Sequence, residues 1–370
     1  MTDLIHNSKI NNSNISIKHK YGLDALRAIA SLIVVFGHIE GIKASNKIAN
    51  WLPIIPSGYL GVILFFVISG FLITSLLLQE EVSNKSINIK KFYLRRILRI
   101  WPLYYLILFI SVILFDYRPE AHTIFLYLTI FPNIARSLNY DYWLVSPQIW
   151  SIGVEEQFYL VWPWLIKFIK SRLLAVLIII AVGYTFLPHV ILYIINKSSL
   201  ANSNIPKIIG KIYYTTKFNC MAMGGIFAYL IHHNKKIIQI IRHKYIATLL
   251  IFVPFVLWFF NINFFYFTAE VYAILFCFLI VNITHKKHYF FDNKITFFLG
   301  KISYGIYMYH CIVILLLFKW LLPLFENKQD YYANILLYVS AIFFTVLTAT
   351  LSYYTIERYF LTLKRKFETT

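Results

Sequence analysis

The sequence predicts an all-α integral membrane protein, a polytopic bundle of about ten transmembrane helices. Three observations predict it. Of 370 residues, 59% are hydrophobic and 14% charged, more apolar surface than a water-soluble domain of this length can hide. The apolar residues fall in stretches of about twenty, the length a helix needs to cross the hydrocarbon. The lysines and arginines stand between those stretches instead of on one continuous face, so the net charge of +19 reads as membrane topology, not nucleic-acid binding. The first twenty residues are polar and asparagine-rich, unlike a cleavable signal peptide. No polar linker divides the rest, which predicts a cytoplasmic tail over 1–21, one transmembrane domain over 22–357 and a basic cytoplasmic tail over 358–370.

The first span, near 22–40, reads LDALRAIASLIVVFGHI and carries Asp24, Arg27 and His38. Charges inside a span are costly and usually functional. Arg27 and His38 are eleven residues apart, which puts them within about 20° of one helix face and about 16 Å apart along the axis, so both are expected to point into one cavity. Asp24 lies one turn from Arg27 and can neutralise it, so a structural ion pair beside an interfacial histidine is the simpler alternative. The second span, 58–79, and the sixth, 217–232, carry Gly58, Gly61, Ser69 and Gly70, and Ala222, Gly224, Gly225 and Ala228; both sets read as close helix packing.

KKFYLRRILRIWPLYY opens the third span, 98–115, with Arg95, Arg96 and Arg99 on one broad face. Their forked donors suit the phosphates of a nucleotide or of coenzyme A, although a positive-inside anchor would have the same composition. Ile124 to Phe131, stopped by Pro132, is too short to cross and predicts a re-entrant or interfacial piece. The fourth span, 149–168, reads IWSIGVEEQFYLVWP and carries Glu155 and Glu156. A carboxylate there can orient a histidine or accept a proton, and one of the pair is expected to serve only as a helix-terminal acid near the interface.

The spans at 173–195, 245–261 and 264–283 carry no such cluster, and those at 302–322 and 333–355 complete the ten. In GKISYGIYMYHCIV, Ser303, Tyr307 and His310 share a face, which reads first as aromatic packing and second as a cavity wall. Cys220, Cys277 and Cys311 are scattered singly without metal-ligand spacing, so no metal or disulfide is expected. With the N-terminus inside, 24 of the 35 basic residues fall on the inner side, which places both termini in the cytoplasm.

Taken together, LDALRAIA with Arg27 and His38, GVILFFVISGFLIT, FYLRRILRIWPLYY, WSIGVEEQFYL, ISYGIYMYH and the terminal IERYF resemble the acyltransferase-3 family of bacterial membrane O-acetylases, from Leu23 to about Phe360. The resemblance implies a ten-helix core in the bacterial inner membrane and an acyl-coenzyme A donor, acetyl-CoA in the first instance, with no metal. It implies as acceptor a hydroxyl of a cell-surface polysaccharide, lipopolysaccharide, exopolysaccharide or lipid-linked glycan. It matches His38 to the family's essential histidine, Arg27 to its upstream partner, Arg95, Arg96 and Arg99 to its basic cytosolic motif, and Glu155 to its acid. Ile63, Lys217, Asn219 and Tyr359 depart from the family pattern, and no appended soluble domain is expected. The expected chemistry is O-acyl transfer with His38 as general base. A transporter or flippase of a lipid-linked sugar, whose pathway the same charges would line, is the alternative.

Overall fold

The computed structural model describes residues 21–48, 56–116, 118–138, 143, 145–325 and 331–368. Most of the expected N-terminal tail, residues 1–20, lies outside them. The described residues are helical, with no strand among them. In chain order the helices are α1 (Leu23–Ser45), α2 (Gly58–Asn84), α3 (Ile89–Phe115), α4 (Ala121–Leu128), α5 (Pro132–Ser137), α6 (Ile149–Phe168), α7 (Leu173–Asn196) and α8 (Ile205–Thr215). They continue with α9 (Phe218–His232), α10 (Lys236–Ile241), α11 (Lys244–Phe259), α12 (Thr268–Ile283), α13 (Lys294–Leu321), α14 (Tyr331–Ser352) and α15 (Arg358–Arg365). A π-helical turn, Tyr353–Glu357, joins the last two.

Each of the ten predicted spans coincides with a helix: α1, α2, α3, α6, α7, α9, α11, α12, α13 and α14. Seven helical stretches are long and apolar enough to cross a membrane: those of α1, α2, α3, α7, α12, α13 and α14. The other three fall short for physical reasons. Helices α9 and α11 have 15 and 16 residues, below the usual spanning length, and α6 carries Glu155, Glu156 and Lys167 in its 20 residues. The chain is thus an all-α, polytopic membrane bundle. The short apolar stretch before Pro132 forms α4, eight residues long, and the proline starts α5.

Polar contacts gather the helix ends into two groups. At one end, Arg95 at the start of α3 pairs with Glu80 near the end of α2 at 2.8 Å, and its Nη1 donates to the Phe367 carbonyl beyond α15 at 2.9 Å. Lys170, between α6 and α7, meets Glu81. At the other end, the Ser57 amide before α2 donates to Asn261 Oδ1 after α11 at 2.8 Å, and Lys43 of α1 is buried beside Glu40 and Tyr338 of α14.

Helices α2 and α13 form the centre. In each, 72% of the apolar stretch is buried, against 17% in the stretch containing α7, which turns most of its surface to the bilayer. The densest packing is α2 against α9 and α1 against α13, and small residues allow it: a methyl group at Gly70 would overlap the Met221 carbonyl, and one at Gly224 the Val67 carbonyl. Gly224→Leu is therefore expected to lose at least about 1–3 kcal/mol through overpacking. Gly183→Leu, with no neighbour within 4 Å, should leave thermal stability in detergent unchanged. Equal melting temperatures for the two variants would contradict this packing. Lys217 and Asn219, which depart from the family pattern, both bond Glu270 Oε1, at 3.0 and 2.8 Å, in a buried cluster between α9 and α12.

Candidate functional site

A cavity lies between α1, α2, α3, α6 and α13. Its walls follow from helical spacing. On α6, Ser151, Glu155 and Tyr159 recur every fourth residue, and on α13, Ser303 and Tyr307 do the same. Arg27 enters from α1, Ser69 from α2, and Arg96 and Arg99 from α3. The Asn88 side chain caps α3 by accepting from the Lys91 amide at 2.9 Å, which starts the helix about two turns before the arginines and sets their face.

The arginine cluster divides. Arg96 and Arg99 line the cavity, whereas both ends of the Arg95 guanidinium are occupied by Glu80 and the Phe367 carbonyl. The Arg96 guanidinium lies 5.6 Å from the Tyr159 ring centroid and 5.7 Å from that of Phe92, and its buried Nε has no hydrogen-bond partner. Arg27 keeps Asp24 at 3.9 Å, the expected ion pair, yet also faces the cavity. Arg99 is within electrostatic reach of Arg27, Glu155 and Glu357, the last carried inward by the π-helical turn. Three cationic side chains thus share the cavity with one carboxylate, Glu155, a setting that favours a polyanionic ligand. Arg95→Ala is expected to cost about 3 kcal/mol or more of folding free energy by leaving Glu80 buried without its cation, measurable as lost thermal stability of the detergent-extracted protein.

Glu155 accepts from Ser69 Oγ at 2.9 Å and from the Tyr159 hydroxyl at 3.1 Å. Each carboxylate oxygen accepts one of these bonds, both from the cavity wall, and none joins Glu155 to His38 among the described residues. Ser69 belongs to the set read as packing alone; the structure gives it this polar role. Glu156 corrects a second expectation. It lies beyond the first turn of α6, is buried, and accepts from the Trp101 indole at 2.8 Å, so neither acid is a helix-terminal one.

His38 does not line the cavity. Its ring lies 5.0 Å from that of His310 on α13, and His310 lies 5.7 Å from the ring of Tyr307, whose hydroxyl shares a 2.7 Å hydrogen bond with Ser151 in the cavity wall. Arg27 lines the cavity and His38 does not, so the two do not point into one cavity as their spacing predicts; His38 is linked to its wall only through His310 and Tyr307. Arg136, on α5, lies over the Trp150 ring at 5.2 Å and within electrostatic reach of His38. His38, His310 and Cys311 offer ligand atoms within 4.8 Å of one another, one group among the described residues that could hold a metal ion. Sequence reasoning weighed His310 as a wall residue and missed Cys311, Tyr159 and Arg136. For Tyr159 the four-residue spacing from Glu155 was an available signal; for Cys311 and Arg136 there was none, because their neighbours come from other helices or from ring orientation.

A family model described as an acyltransferase domain matches residues 20–354. The chain is 28% identical to the peptidoglycan O-acetyltransferase OatA of Listeria monocytogenes, over 92% of this chain and 56% of that protein. It is likewise 28% identical to a putative O-acetyltransferase of Staphylococcus aureus, over 92% of this chain and 57% of that protein. With the putative peptidoglycan O-acetyltransferase YrhL of Bacillus subtilis it shares 37% identity over 39% of this chain and 24% of that one. The chain spans little more than half the length of the first two relatives. No solved structure matches it.

Proposed function

The chain belongs to the acyltransferase-3 family, and from that premise we propose that it moves an acyl group, in the first instance acetyl, from acyl-coenzyme A to a hydroxyl of a cell-surface glycan. Two relatives are named for peptidoglycan, which makes glycan strands of the cell wall the first acceptor to test, with lipopolysaccharide, exopolysaccharide and lipid-linked glycans after it. The observation that carries the reading is a cationic cavity connected through Tyr307 and His310 to His38.

In this reading Arg96 and Arg99 hold the donor's phosphates at the cytosolic mouth and Arg27 receives charge deeper in the cavity, while Arg95 holds α2, α3 and the C-terminal segment in register. Glu155, through Ser69 and Tyr159, keeps the wall rigid. His38 takes the proton from the sugar hydroxyl as general base as that oxygen attacks the acyl carbon, and returns it to the departing thiolate. Ten crossings with both termini in the cytosol, in a bacterial inner membrane, complete the proposal: the acyltransferase domain covers 22–357, between tails at 1–21 and 358–370, the second beginning with α15. Single cysteines introduced at 84–88 and at 198–203, in a background lacking the native three, test the orientation. The first is expected to react only with reagent in the cytosol and the second only with reagent outside; reversed labelling would contradict the proposal.

A transporter or flippase is the other reading these charges allow. Chemical analysis of envelope glycans separates the two, because loss of this chain should remove an ester group from one glycan while leaving its carbohydrate backbone exported. Loss of the backbone itself would favour transport.

A further inference from the structure

Cys311 has the surroundings of a nucleophile. On α13 it follows Tyr307 by four residues, so it sits one turn beyond the cavity wall on the same side of the helix. Its Sγ lies 3.2 Å from His310 Nε2, and His310 Nδ1 lies 2.7 Å from the Tyr307 carbonyl oxygen. A carbonyl can only accept, so Nδ1 carries the ring proton and Nε2 presents its lone pair to the thiol. Nucleophile, base and orienting acceptor are therefore in line, the arrangement that activates a serine or cysteine in acyl transfer. Both residues are almost fully buried, His310 at 0% exposure and Cys311 at 2%, which shields an acyl group there from water. His38 lies beside this pair, with a ring nitrogen within 4.8 Å of both partners. Cys220 and Cys277 are also buried free thiols, but neither has a histidine in contact.

Resting on the acyl-coenzyme A reading above, we propose that Cys311 carries the acyl group between donor and acceptor as a thioester. As Cys311 Sγ attacks the donor's acyl carbon, its proton passes to His310 Nε2, the new carbon–sulfur bond forms, and the bond to the coenzyme A sulfur breaks. The departing thiolate takes the proton from His310, leaving free coenzyme A thiol and acyl-Cys311. One thioester is exchanged for another with no oxidant or reductant. Because the proton moves as the bond forms, no free thiolate need persist in the buried site. In the second half, His38 takes the proton of the sugar hydroxyl, the sugar oxygen displaces Cys311, and the thiolate is reprotonated through the histidine pair. The relay separates the two substrates: the donor can leave before the acceptor arrives.

Isotope exchange tests the relay without the acceptor. The purified full chain in detergent is given acetyl-CoA together with labelled free coenzyme A. The wild type is expected to pass label into acetyl-CoA and, after denaturing quench, to show one acetyl group on the peptide containing Cys311, removable by neutral hydroxylamine. Cys311→Ala should lose both signals, with exchange falling on the order of 10³-fold or more and coenzyme A affinity kept. Cys311→Ser preserves size should the alanine variant extract poorly, and a Cys220→Ala/Cys277→Ala variant should keep the label. His38→Gln should accumulate acyl-Cys311 while failing to acetylate glycan. Exchange retained in Cys311→Ala, acetyl-CoA bound by the wild type with neither exchange nor label, or a stoichiometric zinc ion held by the three side chains would each overturn the proposal and leave the acyltransferase reading standing. Failure of the wild type to bind acetyl-CoA at all would instead overturn that reading.

Discussion

His38→Gln is expected to lower acyl transfer to the glycan by about 10²- to 10⁴-fold, the contribution of a positioned general base. Glutamine keeps much of the bulk and hydrogen bonding of histidine but cannot exchange a proton near neutral pH. His38 is only partly buried and its near neighbour is the ring of His310, so folding free energy should change little. Coenzyme A affinity should persist, because the arginines proposed to hold the phosphates line the cavity and His38 does not. The measurements are glycan acetylation, donor affinity and extracted yield of the same preparation. Transfer near the wild-type rate would remove His38 from the chemistry, and a collapse in yield would return it to a structural role.

The double variant Arg96→Ala/Arg99→Ala should weaken donor binding by about 10²- to 10⁴-fold, if each charge-assisted contact to phosphate contributes about 1.5–3 kcal/mol. Unlike Arg95, neither residue closes an ion pair among the described residues, and the Arg96 Nε is left without a partner. Removing the two also relieves like-charge repulsion beside Arg27, so thermal stability should hold while affinity falls. Calorimetric titration with coenzyme A, and with dephospho-coenzyme A for comparison, checks this. Unchanged affinity would make the cluster a topology signal and nothing more.

The helices were legible because the bilayer imposes one rule, an apolar stretch of sufficient length, which seven stretches obey in full and α6, α9 and α11 approach. The site was legible where a charge interrupts such a stretch. Arg27, Arg96, Arg99 and Glu155 were visible on that ground and all line the cavity. Arg95 was equally visible but serves the helix ends, because the partners that divert it, Glu80 and the Phe367 carbonyl, are 15 and 272 residues away. Ser69 looked like a packing residue because it is small and stands among Gly58, Gly61 and Gly70, and only the approach of α6 gives it Glu155 to bond. Cys311 was invisible for a different reason. Its neighbour in sequence is its partner, yet whether the His310 ring turns toward it depends on Tyr307 accepting from the far nitrogen. Even α6 shows the same trade: the acids that make it chemically interesting are what lower its apolarity as a span.

The most direct test of the central claim is reconstitution of the purified chain in sealed vesicles, with acetyl-CoA labelled in the acetyl group on the side of Arg96 and Arg99 and soluble peptidoglycan glycan strands on the other. The account predicts that ester-linked label appears on the glycan, with one coenzyme A thiol released for each ester formed, and that neither appears with His38→Gln. Glycan or lipid-linked sugar moving across the vesicle without ester formation or thiol release would contradict it.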